Sequence, residues 1–133
     1  MSDITDRLRD DSQPRVLVVD SSAAVGSGIH DILAEQGFKV DVAASATQAI
    51  EMFSRCNYAC VITEYDLPEM DGADLARMMR GKKDVPIVLM SQRRENYWQS
   101  TQVVAAFLQK PFQGYKLVET VRAHAQPPQQ YAA

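Results

Sequence analysis

Five residues in this chain, Asp20, Glu64, Asp66, Ser91 and Lys110, carry the groups that phosphoryl and metal chemistry need. Clustered carboxylates hold a hard divalent cation such as magnesium. A lysine ammonium neutralises surplus negative charge, and a serine hydroxyl donates to a phosphoryl oxygen or to a carboxylate. Taken singly, each is ordinary. A lone Asp after a strand more often caps a helix or turns a loop, and a lysine before a proline is usually solvated. Their weight comes from shared position, because each follows closely on a segment that reads as a buried strand.

Those segments alternate with helical ones. Arg15 to Val19 (RVLVV) is a continuous β-branched run stopped by Asp20, the pattern of a strand buried on both faces. Val25, Ile29, Ile32 and Leu33 share one helix face, with Gly37 as its C-terminal stop. Gly26 and Gly28 fall inside that helix, where close packing is their reading. Phe38 to Val42 is a short second strand. Ser45 and Gln48 form a capping box ahead of Ala46, Ala49, Ile50 and Phe53. Tyr58 to Thr63 (YACVIT) is a third strand, followed by the polar loop EYDLPEMDG. Leu75, Met78 and Met79 mark a third helix stopped at Gly81, with Met70, Met78 and Met79 read as core filler. Val85 to Met90 is a fourth strand, with Pro86 near its start. Ser91 to Gln102 is polar and weakly periodic. Ala105 to Gln109 is a short fifth strand, and Phe112, Leu117, Val118 and Val121 mark the last helix.

This β-α alternation predicts a parallel sheet covered by helices on both faces. Ligands of such sheets bind at the carboxyl ends of the strands. Asp20 and Ser21, Glu64 to Asp66, Ser91 with Gln92, and Lys110 all stand there. The chain has 133 residues, 46% of them hydrophobic, enough for one domain and one core. Residues 1–13 read as a disordered lead-in, 14–125 as the domain, and 126–133 as a tail or linker. The net charge is −3, and no Lys/Arg run forms a basic stripe, which argues against direct nucleic-acid binding. Lys82-Lys83 and Arg93-Arg94 read as solvated loops. Cys56 and Cys60 lack the spacing of a zinc or redox pair, and Cys60 reads as a small buried residue. No segment approaches the roughly 18 apolar residues of a membrane span, and the polar, acidic start is unlike a signal peptide. The expected setting is cytoplasmic.

The order LVVD, TEYDLPEMDG, VPIVLMS, KPF resembles a response-regulator receiver domain (CheY-like) of bacterial two-component systems, over about residues 14 to 125. The resemblance implies a flavodoxin-like doubly wound (βα)5 sandwich with a five-stranded parallel sheet in order 2-1-3-4-5. The fourth helix is expected to be short or irregular, since the gap from Ser91 to Lys110 is tight. It also implies magnesium-dependent phosphoryl transfer from a histidine kinase to an aspartate. The phosphoacceptor position is four residues before Pro68 and holds Glu64. Asp66 stands where a main-chain carbonyl helps bind magnesium. Asp20 matches the first residue of the family's acidic pair, and Ser21 the second, which here is not acidic. Ser91 matches the switch hydroxyl, Lys110 the lysine before proline, and Phe107 the aromatic that changes rotamer. Asp20, Glu64 and Asp66 are thus the candidate metal ligands, for weak magnesium at best, and no other cofactor is implied.

Glutamate adds one methylene and moves the nucleophilic oxygens toward Lys110, and small misplacements of reacting atoms cost about 100-fold in rate. Losing an acid at Ser21 weakens the metal that stabilises phosphoryl-transfer charge. The expectation is a pseudo-receiver, a protein-interaction module and not an enzyme, fixed in one signalling state by pairing of Glu64 with Lys110 and Ser91. An active-like state is the candidate, though one carboxylate charge mimics only part of the roughly 1.5 to 2 charges of a phosphoryl group. Three other readings stand beside it: a module that only docks partners, a competent magnesium-dependent acceptor using Glu64 or Asp66, and a nucleotide-binding α/β enzyme. The last rests on Gly26-Ser27-Gly28, which lies past the turn where a nucleotide fingerprint belongs. Expected partners are a histidine kinase or another signalling protein, or a second copy through the fourth-helix region, fifth strand and last helix. Tyr97 and Trp98 would add an aromatic patch to that face if exposed. No output domain is evident, so the chain reads as a stand-alone receiver or a piece of a larger regulator.

Overall fold

Val16, Leu17, Val18 and Val19 are completely buried, which places β1 (Arg15–Val19) inside a sheet covered on both faces. The computed structural model describes residues 13–93 and 103–125. Four further strands follow, β2 (Lys39–Ala43), β3 (Cys60–Glu64), β4 (Ile87–Ser91) and β5 (Ala106–Gln109). All pair in parallel, in the order β2-β1-β3-β4-β5, as expected. The four described helices are α1 (Ala23–Glu35), α2 (Ala46–Arg55), α3 (Gly72–Arg80) and α4 (Gly114–His124).

Alternation along the strands splits the interior into two cores. Leu17, Val19, Val61 and Ile87 face α2 and α3, packing with Phe53, Leu75 and Met79. Val16, Val18, Ile62, Val88 and Met90 face α1 and α4, packing with Ile29, Leu33, Leu117 and Val121. Cys60 belongs to this second core, and burial pushes its thiol up to about 12. Both cysteines are free thiols. Among the described residues no helix is long and apolar enough to cross a membrane.

Local signals set the element ends. Ser45 Oγ accepts the Gln48 N–H at 3.1 Å, while Gln48 reaches back to the Ala44 N–H at 2.8 Å, so the capping box forms one residue wider than its usual form. Gly37, with φ of 94°, takes the left-handed conformation just past α1. Four strands begin later than expected, β5 by one residue, at Ala106 in place of Ala105. Phe38 precedes β2, Tyr58 and Ala59 precede β3, and Val85 and Pro86 precede β4, because hydrophobic burial continues beyond the hydrogen-bonded ladder. Phe112 likewise lies ahead of α4.

Two expectations are corrected. Met78 is not core filler; it is 43% exposed, while Leu75 and Met79 of the same helix are buried. Lys83 is not in a solvated loop; its ammonium donates to the Phe53 and Cys56 carbonyls at 2.8 and 3.0 Å. The C-terminal end of α2 exposes carbonyls that attract a cation. The stretch expected to hold the fourth helix lies outside the described residues after Arg93, Tyr97 and Trp98 included. The end segments, residues 1–12 and 126–133, also lie outside them.

The two helix glycines separate cleanly. A Cβ at Gly26 would sit 2.8 Å from Val42 Cγ1, so this glycine lets α1 lie close against β2, whereas a Cβ at Gly28 meets nothing within 4 Å. Gly28→Ala is therefore expected to raise unfolding free energy by about 0.5–1 kcal/mol in urea denaturation. Gly26→Ala is expected to lower it; equal gains from both would contradict the α1–β2 packing.

Candidate functional site

The carboxyl ends of β1, β3 and β5 converge on one ammonium group. Asp20, immediately after β1, is buried; its Oδ1 accepts the Ser22 N–H at 2.8 Å and its Oδ2 accepts from Lys110 Nζ at 2.8 Å. Glu64, the last residue of β3, accepts from the same Nζ through Oε1. Lys110, immediately after β5, donates its main-chain N–H to the Ser91 carbonyl at 2.8 Å. Its stem then passes the end of β4 to reach the two acids. The Lys110 side chain is 13% exposed, Glu64 17% and Asp20 0%, so the cluster is largely withdrawn from water.

That burial governs the protonation balance. Glu64 is raised above the usual carboxylate range: burial pushes it up, the Lys110 hydrogen bond pulls it down, and the nearby Asp20 charge pushes it up again. Lys110 is raised as well; burial opposes its charge, but the hydrogen bonds and charges of Asp20 and Glu64 outweigh it. The proton stays on the lysine. Two carboxylates and one ammonium leave a net single negative charge.

Magnesium fits this donor set poorly. Both buried carboxylates are engaged by Lys110, so a divalent cation would compete with an ammonium already in place. Ser21, at the third acidic position, is exposed and carries no charge. The Asp66 carboxylate, 52% exposed, is held by Arg93, which leaves its main-chain carbonyl as the group that would face a cation. Among the described residues, no three His, Cys, Asp or Glu side chains are placed to share a metal.

Ser91 does not join the ion cluster. It is buried at the end of β4, and its Oγ accepts the Arg93 N–H at 2.9 Å. This corrects the expected Glu64–Ser91 contact: the Ser91 side chain is turned to the N–H two residues further along the turn and makes no hydrogen bond to Glu64. Phe107 is half-buried in β5, in register with Leu89.

The loop after β3 is fixed at several points, some of them not evident from the sequence. Asp71 caps α3 through the Asp74 N–H at 2.8 Å. Glu69 Oε1 accepts the Ala46 N–H at 3.3 Å and so adds negative charge at the start of α2. Gly72 donates to the Tyr65 carbonyl at 2.7 Å; a Cβ there would collide with the Glu64 carbonyl and lie 2.9 Å from Leu89 Cδ1, so only glycine fits. Arg93 is exposed in a loop, as expected, but its guanidinium has partners. Its Nε lies 3.2 Å from both Asp66 oxygens, its second guanidinium contact is 3.0 Å, and the group sits 5.8 Å from the Tyr65 ring centre. The available signal was positional: Asp66 and Arg93 each stand two residues past the ends of neighbouring parallel strands.

Comparison with known proteins gives a consistent picture. The sequence model of the family described as response regulator receiver domain matches residues 16–122. The DNA-binding response regulator MtrA of Mycobacterium tuberculosis is 30% identical over 121 residues, covering 86% of this chain and 51% of MtrA. The transcriptional regulatory protein SrrA of Staphylococcus aureus is 29% identical over 115 residues, covering 81% of this chain and 46% of SrrA. The chain thus spans about half the length of these curated relatives. Response regulator TrrA of Thermotoga maritima, solved in complex with Mg(2+)-BeF, is 27% identical with a TM-score of 0.76, covering 84% of this chain and 98% of that one. Chemotaxis response regulator CheY4 of Vibrio cholerae is 22% identical with a TM-score of 0.78 and shares the fold.

The cluster makes a signed pH prediction. A lysine raised by its partners contributes stability that is complete below its ordinary value of 10.5 and is lost as pH climbs through the raised value. The native chain is expected to lose more stability above pH 10.5 than Lys110→Met does, in urea titrations across alkaline pH. Parallel losses would mean that Lys110 carries no folded-state charge pairing.

Proposed function

The chain belongs to the response-regulator receiver family of two-component systems, and from that premise we propose that it is a signalling module whose state does not depend on phosphorylation. The observation that carries this reading is the Lys110 ammonium held between Asp20 and Glu64. Glu64 stands at the acceptor position and is engaged by the lysine that, in the family, neutralises phosphoryl charge. Its Oε1 is therefore committed to Lys110 and not to an incoming phosphorus. Phosphoryl transfer relies on positioning and on charge neutralisation by metal. In this chain one acid is missing at Ser21, and Asp66 is paired with Arg93.

On this reading Glu64, Ser91 and Lys110 are the site residues, Ser91 and Phe107 the switch pair, and magnesium binds weakly through Asp20, Glu64 and Asp66. The mimicry is partial, because the lysine arm is captured and the Ser91 hydroxyl is not. That favours a fixed state in which the lysine and the hydroxyl are uncoupled, in place of the active-like one expected. The domain spans residues 14–125, works in the cytoplasm, and acts by contact with a histidine kinase or another signalling protein. A homodimer through the segment after Ser91, β5 and α4 is the second partner proposal. MtrA is a DNA-binding regulator about twice as long; for this chain we propose no direct nucleic-acid contact.

Intact-mass spectrometry after incubation with acetyl phosphate and magnesium tests the proposal. The native chain is expected to gain no phosphoryl group. Glu64→Asp with Ser21→Asp is expected to gain one, because it restores both the acceptor geometry and the missing acid. Labelling of the native chain would overturn phosphorylation-independence, and mapping the label would assign it to Glu64 or Asp66.

A further inference from the structure

Arg93 is the residue at which the two loops flanking Glu64 meet. Its main-chain N–H donates to Ser91 Oγ at 2.9 Å. Its guanidinium makes a forked contact with Asp66, on the loop after β3, at 3.0 to 3.2 Å. The same guanidinium lies 5.8 Å from the ring centre of Tyr65, which neighbours Glu64 in sequence. Tyr65 in turn donates its main-chain N–H to the Met90 carbonyl at 2.7 Å, next to Ser91. The β3 and β4 exits are thus joined by a main-chain bond below and by the Arg93 side chain above.

From this geometry we propose that Arg93 is a positioning residue that holds the Ser91 hydroxyl away from Glu64. The guanidinium anchors the turn after β4, and the anchored turn keeps the residue 93 N–H on Ser91 Oγ. While that bond persists, Ser91 keeps the rotamer that turns its Oγ to the residue 93 N–H, and Glu64 is left with Lys110 and the nearby Asp20. A bidentate guanidinium–carboxylate pair fixes orientation as well as distance, which a lysine at this position would not do. The surface exposure of the pair, 46% for Arg93 and 52% for Asp66, means its effect falls on loop geometry and little on global stability. The idea takes from the proposed function only that Ser91 is the hydroxyl answering to residue 64; it does not require that phosphorylation be absent.

Amide hydrogen exchange and chemical shifts of residues 91 and 93, measured on the full chain, test it. Arg93→Ala and Asp66→Asn are each expected to speed exchange of the residue 93 amide roughly fivefold, with shift changes at Ser91 and an unchanged urea midpoint. The exchanged pair Arg93→Asp with Asp66→Arg is expected to recover most of the lost protection, which a general loosening of the loop would not do. Ser91→Ala, which removes the acceptor outright, sets the upper limit of the effect. Unchanged exchange and shifts in both single variants would overturn the proposal, as would failure of the exchanged pair to restore protection. The outcome is independent of acetyl phosphate labelling. A labelled chain with a protected residue 93 amide sinks phosphorylation-independence alone, and an unlabelled chain with an unprotected amide sinks the Arg93 role alone.

Discussion

A largely buried ammonium needs negative charge around it, and Lys110 finds it in Asp20 and Glu64. Each of the three groups would be costly to bury alone. Together they leave one unit of negative charge, a modest imbalance for a site that keeps a small contact with water. Desolvation and the second carboxylate push Glu64 toward its neutral form, while the paired acids keep Lys110 charged. The cluster therefore holds its shape through the lysine, and removing that one cation would leave two like charges facing each other.

The parallel sheet supplies the geometry. β1 and β3 are neighbours, so the acids at their ends are brought side by side. Lys110 comes from β5, two strands from β3, and only a long flexible stem crosses that gap past the end of β4. The loop after β3 is held by Glu69 on α2, Asp71 on α3 and Asp66 on Arg93. Glu64 therefore sits beside a loop tied at three points, and its longer side chain extends from there to the lysine.

Much of this was readable from residue types. The continuous apolar runs gave the central strands, since burial on both faces removes the alternation that an exposed face would impose. Asp20, Glu64, Ser91 and Lys110 were legible because parallel sheets gather strand ends on one edge. Three features were not. Strand starts came out early at Phe38, Tyr58 and Val85, because burial does not mark where ladder hydrogen bonding begins. The partners of Lys83 and Arg93, the α2 carbonyls and Asp66, were not legible, because they are distant in sequence and close only in the fold. The Ser91 hydroxyl went to the Arg93 N–H rather than to Glu64, a choice made by turn geometry that no residue pattern encodes.

The most direct measurement is a double-mutant cycle between Glu64 and Lys110, using Glu64→Gln, Lys110→Met and the pair, with unfolding free energies from urea denaturation at neutral pH. If Lys110 is the cation that holds the cluster together, its removal is expected to be markedly less destabilising when Glu64 is already neutral, with a coupling of about 0.5–3 kcal/mol. Additive single-mutant effects would contradict the lysine-centred cluster, and with it the reason that Glu64 is unavailable for phosphoryl transfer.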